Sequence, residues 1–138
     1  MTMKDRVEKA VELFKSGYNC SQSVVAAFAD MYGFTQEQAL RMSASFGGGI
    51  GRMRQTCGAA CGMFLLAGLE KGAVDGKDRE GKAANYALVQ QLAEEFRKRN
   101  GSMICAELLG LKKPEGSSTP EARTEQYYAK RPCAKMVE

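Results

Sequence analysis

The residues that could do chemistry here are thiols. The chain of 138 residues holds five cysteines, Cys20, Cys57, Cys61, Cys105 and Cys133, and no histidine. Without histidine there is no Ser–His or Cys–His nucleophile pair, no Cys–His zinc site and no usual general base near neutral pH. Any reaction falls to cysteine, or to carboxylates, lysines and tyrosines. Five cysteines are too few to build a disulfide scaffold in a chain of this length. In a reducing compartment such cysteines are catalytic, metal-binding or buried.

One stretch concentrates the signal. Residues 46–62 read FGGGIGRMRQTCGAACG. Gly47, Gly48 and Gly49 allow a close backbone approach, Arg52 and Arg54 add positive charge, and Cys57 follows. With Thr56 as a cap, Cys57 would open a helix, where unpaired N–H groups and the helix dipole favour an anion. A thiolate is such an anion, so the Cys57 thiol is expected to ionise readily. The same loop could hold a small anion or an oxidised thiol at its amides. It fits neither standard nucleotide fingerprint: Arg52 stands where GxGxxG needs its third glycine, no strand precedes it, and GxxxxGK[ST] is absent. Cys57 and Cys61 form CxxxC rather than CxxC. They share a helix face, a disulfide between them would distort the helix, and Cys61 reads as filler among Met63, Phe64 and Leu65.

The elements that must carry these residues read as helices. Val7, Ala10, Val11 and Phe14 make an amphipathic stripe that Gly17 ends. Asn19 with Gln22 forms a capping box, which puts Cys20 at the first helical position, and Gly33 closes that helix. Thr35 with Gln38 opens a third helix through about Ser43. A fourth, apolar on most sides, runs from Cys57 to about Lys71 and is expected to be the central, buried one. Asp78 caps a long helix to about Arg99, with Tyr86, Val89, Ala93 and Phe96 as its stripe and Asn100 and Gly101 as its stop. Ser102 caps a short helix holding Cys105, Leu108 and Leu109 and ended by Gly110. LKKPEGSSTPEA is an irregular connection; a last helix is expected over about 121–130, and Pro132 opens a turn holding Cys133. No stretch alternates as a strand does. The expected fold is all-α, a single-domain bundle of about five to seven helices over 1–138, with 111–138 a loosely packed extension.

Cys20, Cys57, Cys105 and Cys133 thus all lie in or near the first turn of an expected helix. YNCSQSV around Cys20, FGGGIGRM and TCGAACG around Cys57, then Cys105 and the RPC of Cys133, together resemble the bacterial and archaeal redox-active protein family named for its cysteine pattern, C_GCAxxG_C_C. Cys57, Gly58 and Ala59 through Gly62 fit its CGAxxG form, and the order and spacing match over nearly the whole chain. The resemblance implies that Cys20, Cys57, Cys105 and Cys133 are the characteristic cysteines and that Cys61 holds a variable position.

Three functions compete. The first is a thiol–disulfide oxidoreductase in which Cys57 attacks and a second helix-start cysteine, Cys20 first, resolves. The second is a metal or iron–sulfur module with Cys20, Cys57, Cys105 and Cys133 as ligands; no paired CxxC knuckle supports a zinc ribbon. In the third the cysteines are structural and Gly47, Gly48, Gly49, Arg52 and Arg54 hold a small anionic ligand. An exported protein braced by two disulfides fits less well, since MTMKDRVEKAVELF lacks the apolar run of a secretory signal. Cys61 to Leu69, the longest apolar run, falls far short of the roughly 20 residues that span a bilayer. The expected location is the cytoplasm. Net charge is +4, much of it in the tail with only Tyr127 and Tyr128 beside it, so a stacking, densely basic nucleic-acid face is not expected. A redox partner or a small anion is the expected partner, and a homodimer is left open.

Overall fold

The computed structural model describes residues 3–108. The helix expected over about 121–130, the Pro132 turn, Cys133, the end at Gly110 and the extension 111–138 lie outside the described residues. Within them are six α-helices and no strand. Helix α1 is Met3–Lys15, α2 Cys20–Phe28, α3 Gln36–Ser43, α4 Gly58–Lys71, α5 Arg79–Asn100 and α6 Cys105–Leu108. The fold is all-α, as the sequence predicts.

Local chemistry sets most of the boundaries. Asn19 accepts from the Gln22 N–H at 2.9 Å, and Gln22 returns an acceptor to the Asn19 N–H at 3.2 Å. Thr35 and Gln38 repeat this reciprocal cap before α3. Asp78 accepts from the Gly81 N–H at 2.8 Å at the start of α5. Gly33 and Gly101 take the left-handed conformation, with φ of +79° and +88°, that lets the backbone turn away from a helix end.

The hub is α2, not α4. Helices α1, α3 and α4 all pack on α2, and α5 packs on α4. Along α2, Cys20, Ser21, Ser23, Val24, Val25, Ala26 and Ala27 are all buried. The expectation of a central α4 weighs hydrophobicity but not size. The residues of α4 that bury are small, Gly58, Ala59, Ala60, Gly62 and Ala67, while Met63, Phe64, Leu65 and Leu66 are half-buried. Gly62 is the point of closest approach. A Cβ there would lie 3.1 Å from both the Ser21 carbonyl oxygen and Val24 Cβ. In α5 the covered part of the stripe is its end: Ala93 and Phe96 bury, and Tyr86 is exposed. Arg6 ties α1 to the end of α2, donating to the Ala27 carbonyl at 3.0 Å and to Asp30 Oδ1 at 2.6 Å, with its guanidinium 5.8 Å from the Phe28 ring centre.

Candidate functional site

The loop between α3 and α4 is a left-handed curl. Residues 48–52 all have positive φ, from +58° to +74°, and Arg54 adds a sixth at +60°. Glycine accepts this conformation without cost, and Gly48, Gly49 and Gly51 supply three of the six residues. Ile50, Arg52 and Arg54 bear a penalty of roughly 1–2 kcal/mol each. The curl is held by its own main chain. The N–H groups of residues 50 to 55 donate to the carbonyls of Phe46, Ser45, Gly47, Ile50, Gly48 and Gly49. Those amides are therefore used inside the loop rather than aimed at an external anion.

After the curl the chain pairs with a distant segment. Thr56 and Ile104 form an antiparallel bridge. On either side of it the Cys57 N–H donates to the Met103 carbonyl at 2.7 Å, and the Cys105 N–H to the Gln55 carbonyl at 2.5 Å. The Ala106 N–H continues to the Arg54 carbonyl at 3.1 Å. Nothing in the sequence announces this pairing, which is a single bridge between a loop and the start of a four-residue helix.

The pairing changes the place of Cys57. Thr56 is taken up by the bridge, so it does not cap α4. Cys57 is itself the N-cap residue, and the helix begins at Gly58. Cys20 is the first residue of α2, as predicted, and Cys105 the first of α6. Ahead of α6, Ser102 Oγ accepts from the Ile104 N–H at 3.0 Å and donates to the Glu107 carboxylate.

Three of the four characteristic cysteines come together around this loop. Cys20, Cys57 and Cys105 are 8%, 5% and 6% exposed. Cys20 lies against the first turn of α4: a Cβ on Gly58 would sit 3.3 Å from Cys20 Cβ and 2.8 Å from the Phe46 carbonyl oxygen. Cys105 lies against the curl, 2.5 Å from where a Gly49 Cβ would be. Cys57 stands between, joined to one by the start of α4 and to the other by the bridge. Cys133 lies outside the described residues.

The positive charge falls elsewhere than the linear order implies. Arg54 is 4% exposed, and its Nη1 lies 3.6 Å from Cys105 Sγ. The guanidinium thus meets Cys105, 51 residues further along the chain. Arg52 is half-buried, and its Cγ would lie 2.9 Å from a Cβ on Gly48. Gly47 abuts Asn19, whose Cγ would be 2.4 Å from an added Cβ. Loop and α2 cap are therefore packed together, with Asn19 Nδ2 also donating to the Ala44 carbonyl at 3.0 Å. Cys61 is half-buried one turn into α4. Its Sγ lies 3.8 Å from the Thr56 carbonyl oxygen, and burial pushes its thiol up. The four described cysteines are thiols. Among the described residues no three of His, Cys, Asp or Glu are grouped as a metal would require.

A family model described as putative redox-active protein (C_GCAxxG_C_C) matches residues 18–138. The chain belongs to the C_GCAxxG_C_C family. The C_GCAxxG_C_C match takes in Cys20, Cys57, Cys105 and Cys133 and supports a redox role in general terms. No curated protein and no solved structure gives a significant match. Among the described residues no helix is long and apolar enough to cross a membrane.

Proposed function

We propose that this protein is a thiol–disulfide redox protein whose working couple is drawn from Cys20, Cys57 and Cys105, with Cys57 as the member common to the pairs. The observation that carries this reading is the meeting of three buried cysteines, from three separate parts of the chain, around one glycine-rich curl. Buried cysteines are ordinary core filler when scattered. Here glycines lie against two of them: a Cβ on Gly49 would collide with Cys105 Cβ at 2.5 Å, and one on Gly58 would crowd Cys20 Cβ at 3.3 Å. A reducing cytoplasm would keep such a couple ready as thiols.

The metal reading has less behind it. It would need Cys133 beside Cys20, Cys57 and Cys105, since no three of the described candidates are grouped for a metal. The anion reading is weakened by the internal use of the amides of residues 50 to 55.

The test is the intact mass of anaerobically purified full chain before and after mild oxidation. Loss of two hydrogens, reversed by a dithiol and abolished in Cys57→Ser, is the expected result. Oxidation unchanged in Cys57→Ser would remove Cys57 from the couple. A mass excess matching iron, sulfide or zinc, lost on denaturation, would replace the redox reading with a metal site.

A further inference from the structure

We propose that Arg54 sets the charge of this site: its buried guanidinium holds Cys105 as the thiolate, and Cys105 rather than Cys57 makes the first attack on a substrate disulfide. The assignment rests on the redox reading above and adds the roles within it.

The contact is built from both sides. Arg54 Nη1 lies 3.6 Å from Cys105 Sγ, and the two residues are 51 apart in sequence. Arginine does not lose its proton in proteins, so the charge is permanent. At 4% exposure it is little screened by water or salt, and attraction to an anion strengthens as the local dielectric falls. A nearby Arg is one of the recognised ways to make a cysteine ionise. The backbone fixes the pair: the Ala106 N–H bonds the Arg54 carbonyl, and the Cys105 N–H bonds the Gln55 carbonyl next to it. Arg54 is also held in the left-handed region at φ +60°, a conformation that persists only where its surroundings enforce it. Gly49 completes the seat by leaving the space that Cys105 Cβ fills.

The ladder names the second thiol. Residues 57 and 105 each follow a member of the Thr56–Ile104 pair, diagonal to one another, and their N–H groups make the two hydrogen bonds that close it. Such diagonal neighbours lie roughly 7–8 Å apart at Cα. A disulfide needs about 4.4–6.8 Å, so forming one draws the two segments slightly together.

The chemistry balances as follows. The Cys105 thiolate attacks one sulfur of a substrate disulfide, RSSR. The S–S bond breaks, a mixed disulfide joins Cys105 to one RS group, and the other leaves as RS⁻ and takes a proton from water. Cys57 then loses its proton to solvent and attacks the Cys105 sulfur. The second RS⁻ leaves, and a Cys57–Cys105 disulfide remains. Two electrons have passed from the protein to the substrate, and an external dithiol returns them.

The experiment reads the thiolate directly, by its ultraviolet absorbance in reduced, anaerobic full chain titrated across pH. A thiolate band present at neutral pH, lost in Cys105→Ser and in Arg54→Gln, and kept in Cys57→Ser and Arg54→Lys, is the expected pattern. With oxidised glutathione as the probe disulfide, Cys57→Ser should accumulate a mixed disulfide on Cys105. A band that survives Cys105→Ser and vanishes in Cys57→Ser overturns the assignment, as does a wild-type protein with no neutral-pH band. Should Arg54→Gln not fold, judged by circular dichroism, the two cysteine variants and Arg54→Lys decide alone. Failure of the redox reading looks different. The band would follow Cys105, yet no dithiol-reversible oxidation would occur in the wild type, and the attack would fall while the charge pairing stood.

Discussion

Gly49 and Cys105 occupy one another's space: a Cβ on Gly49 would lie 2.5 Å from Cys105 Cβ, 2.7 Å from Arg54 Cα and 2.8 Å from the Gln55 nitrogen. Two of those neighbours are backbone atoms, which cannot swing aside, and φ of +74° is itself adverse to any L-residue. Gly49→Ala should therefore cost about 3 kcal/mol or more, in the range of severe overpacking and backbone strain combined. Urea unfolding followed by circular dichroism measures it. A midpoint equal to wild type would show that the curl does not bear on Cys105.

Asn19 has more to hold than an ordinary cap. It closes the capping box of α2, donates to the Ala44 carbonyl and packs on Gly47. Thr35 makes the same box before α3, on an exposed surface. Loss of an N-cap side chain costs about 1 kcal/mol, up to about 2. Asn19→Ala should thus lower Tm more than Thr35→Ala does. Equal losses would mean that the loop and the α2 cap are not coupled.

Asp30 predicts the shape of one part of the acid limb. Its hydrogen bond to Arg6 lowers its pKa below the ordinary 3.8, against a smaller opposing effect of burial. The folded state therefore binds fewer protons there than the unfolded one. The contribution of Asp30 is complete above the ordinary carboxylate range and is lost as pH falls through the lowered folded value. Since Asp30 is exposed, the effect is small. Tm measured against pH should fall less steeply below pH 4 in Asp30→Asn than in wild type, about where ordinary carboxylates titrate. Parallel curves would show that the α1 tether adds nothing at these pH values.

What could be read from the sequence is what neighbouring residues decide among themselves. Asn19 with Gln22, Thr35 with Gln38, Asp78 and Gly101 mark helix ends through contacts a few residues long, and each stands where the pattern puts it, whereas α2 stops at Phe28 and Gly33 closes the short 3₁₀ helix Ala29–Tyr32 that follows. Placing α4 at the centre went astray because its large apolar residues announce burial more loudly than the small residues that let two helices close. The meeting of Thr56 with Ile104 was not legible, for the opposite reason. It depends on where distant segments arrive, and one bridge leaves no alternating pattern. Arg54 was legible as a charge but not as a buried one. Its target, Cys105, is set by that same long-range pairing.

The bridge also fixes when the site comes into being. Two of its cysteines, and Arg54, belong to the first half of the chain, while Cys105, whose sulfur Arg54 meets, lies 51 residues further on. Helices α1 to α4 can gather through nearby contacts, but closing a loop of that length carries an entropic cost that the packing of α5 on α4 and the docking of residues 103–106 offset together. During synthesis the chain passes through a stage in which Cys20 and Cys57 have emerged and Cys105 has not. The contact between Arg54 and Cys105 is thus a property of the completed fold, absent until both sides of the bridge are in place.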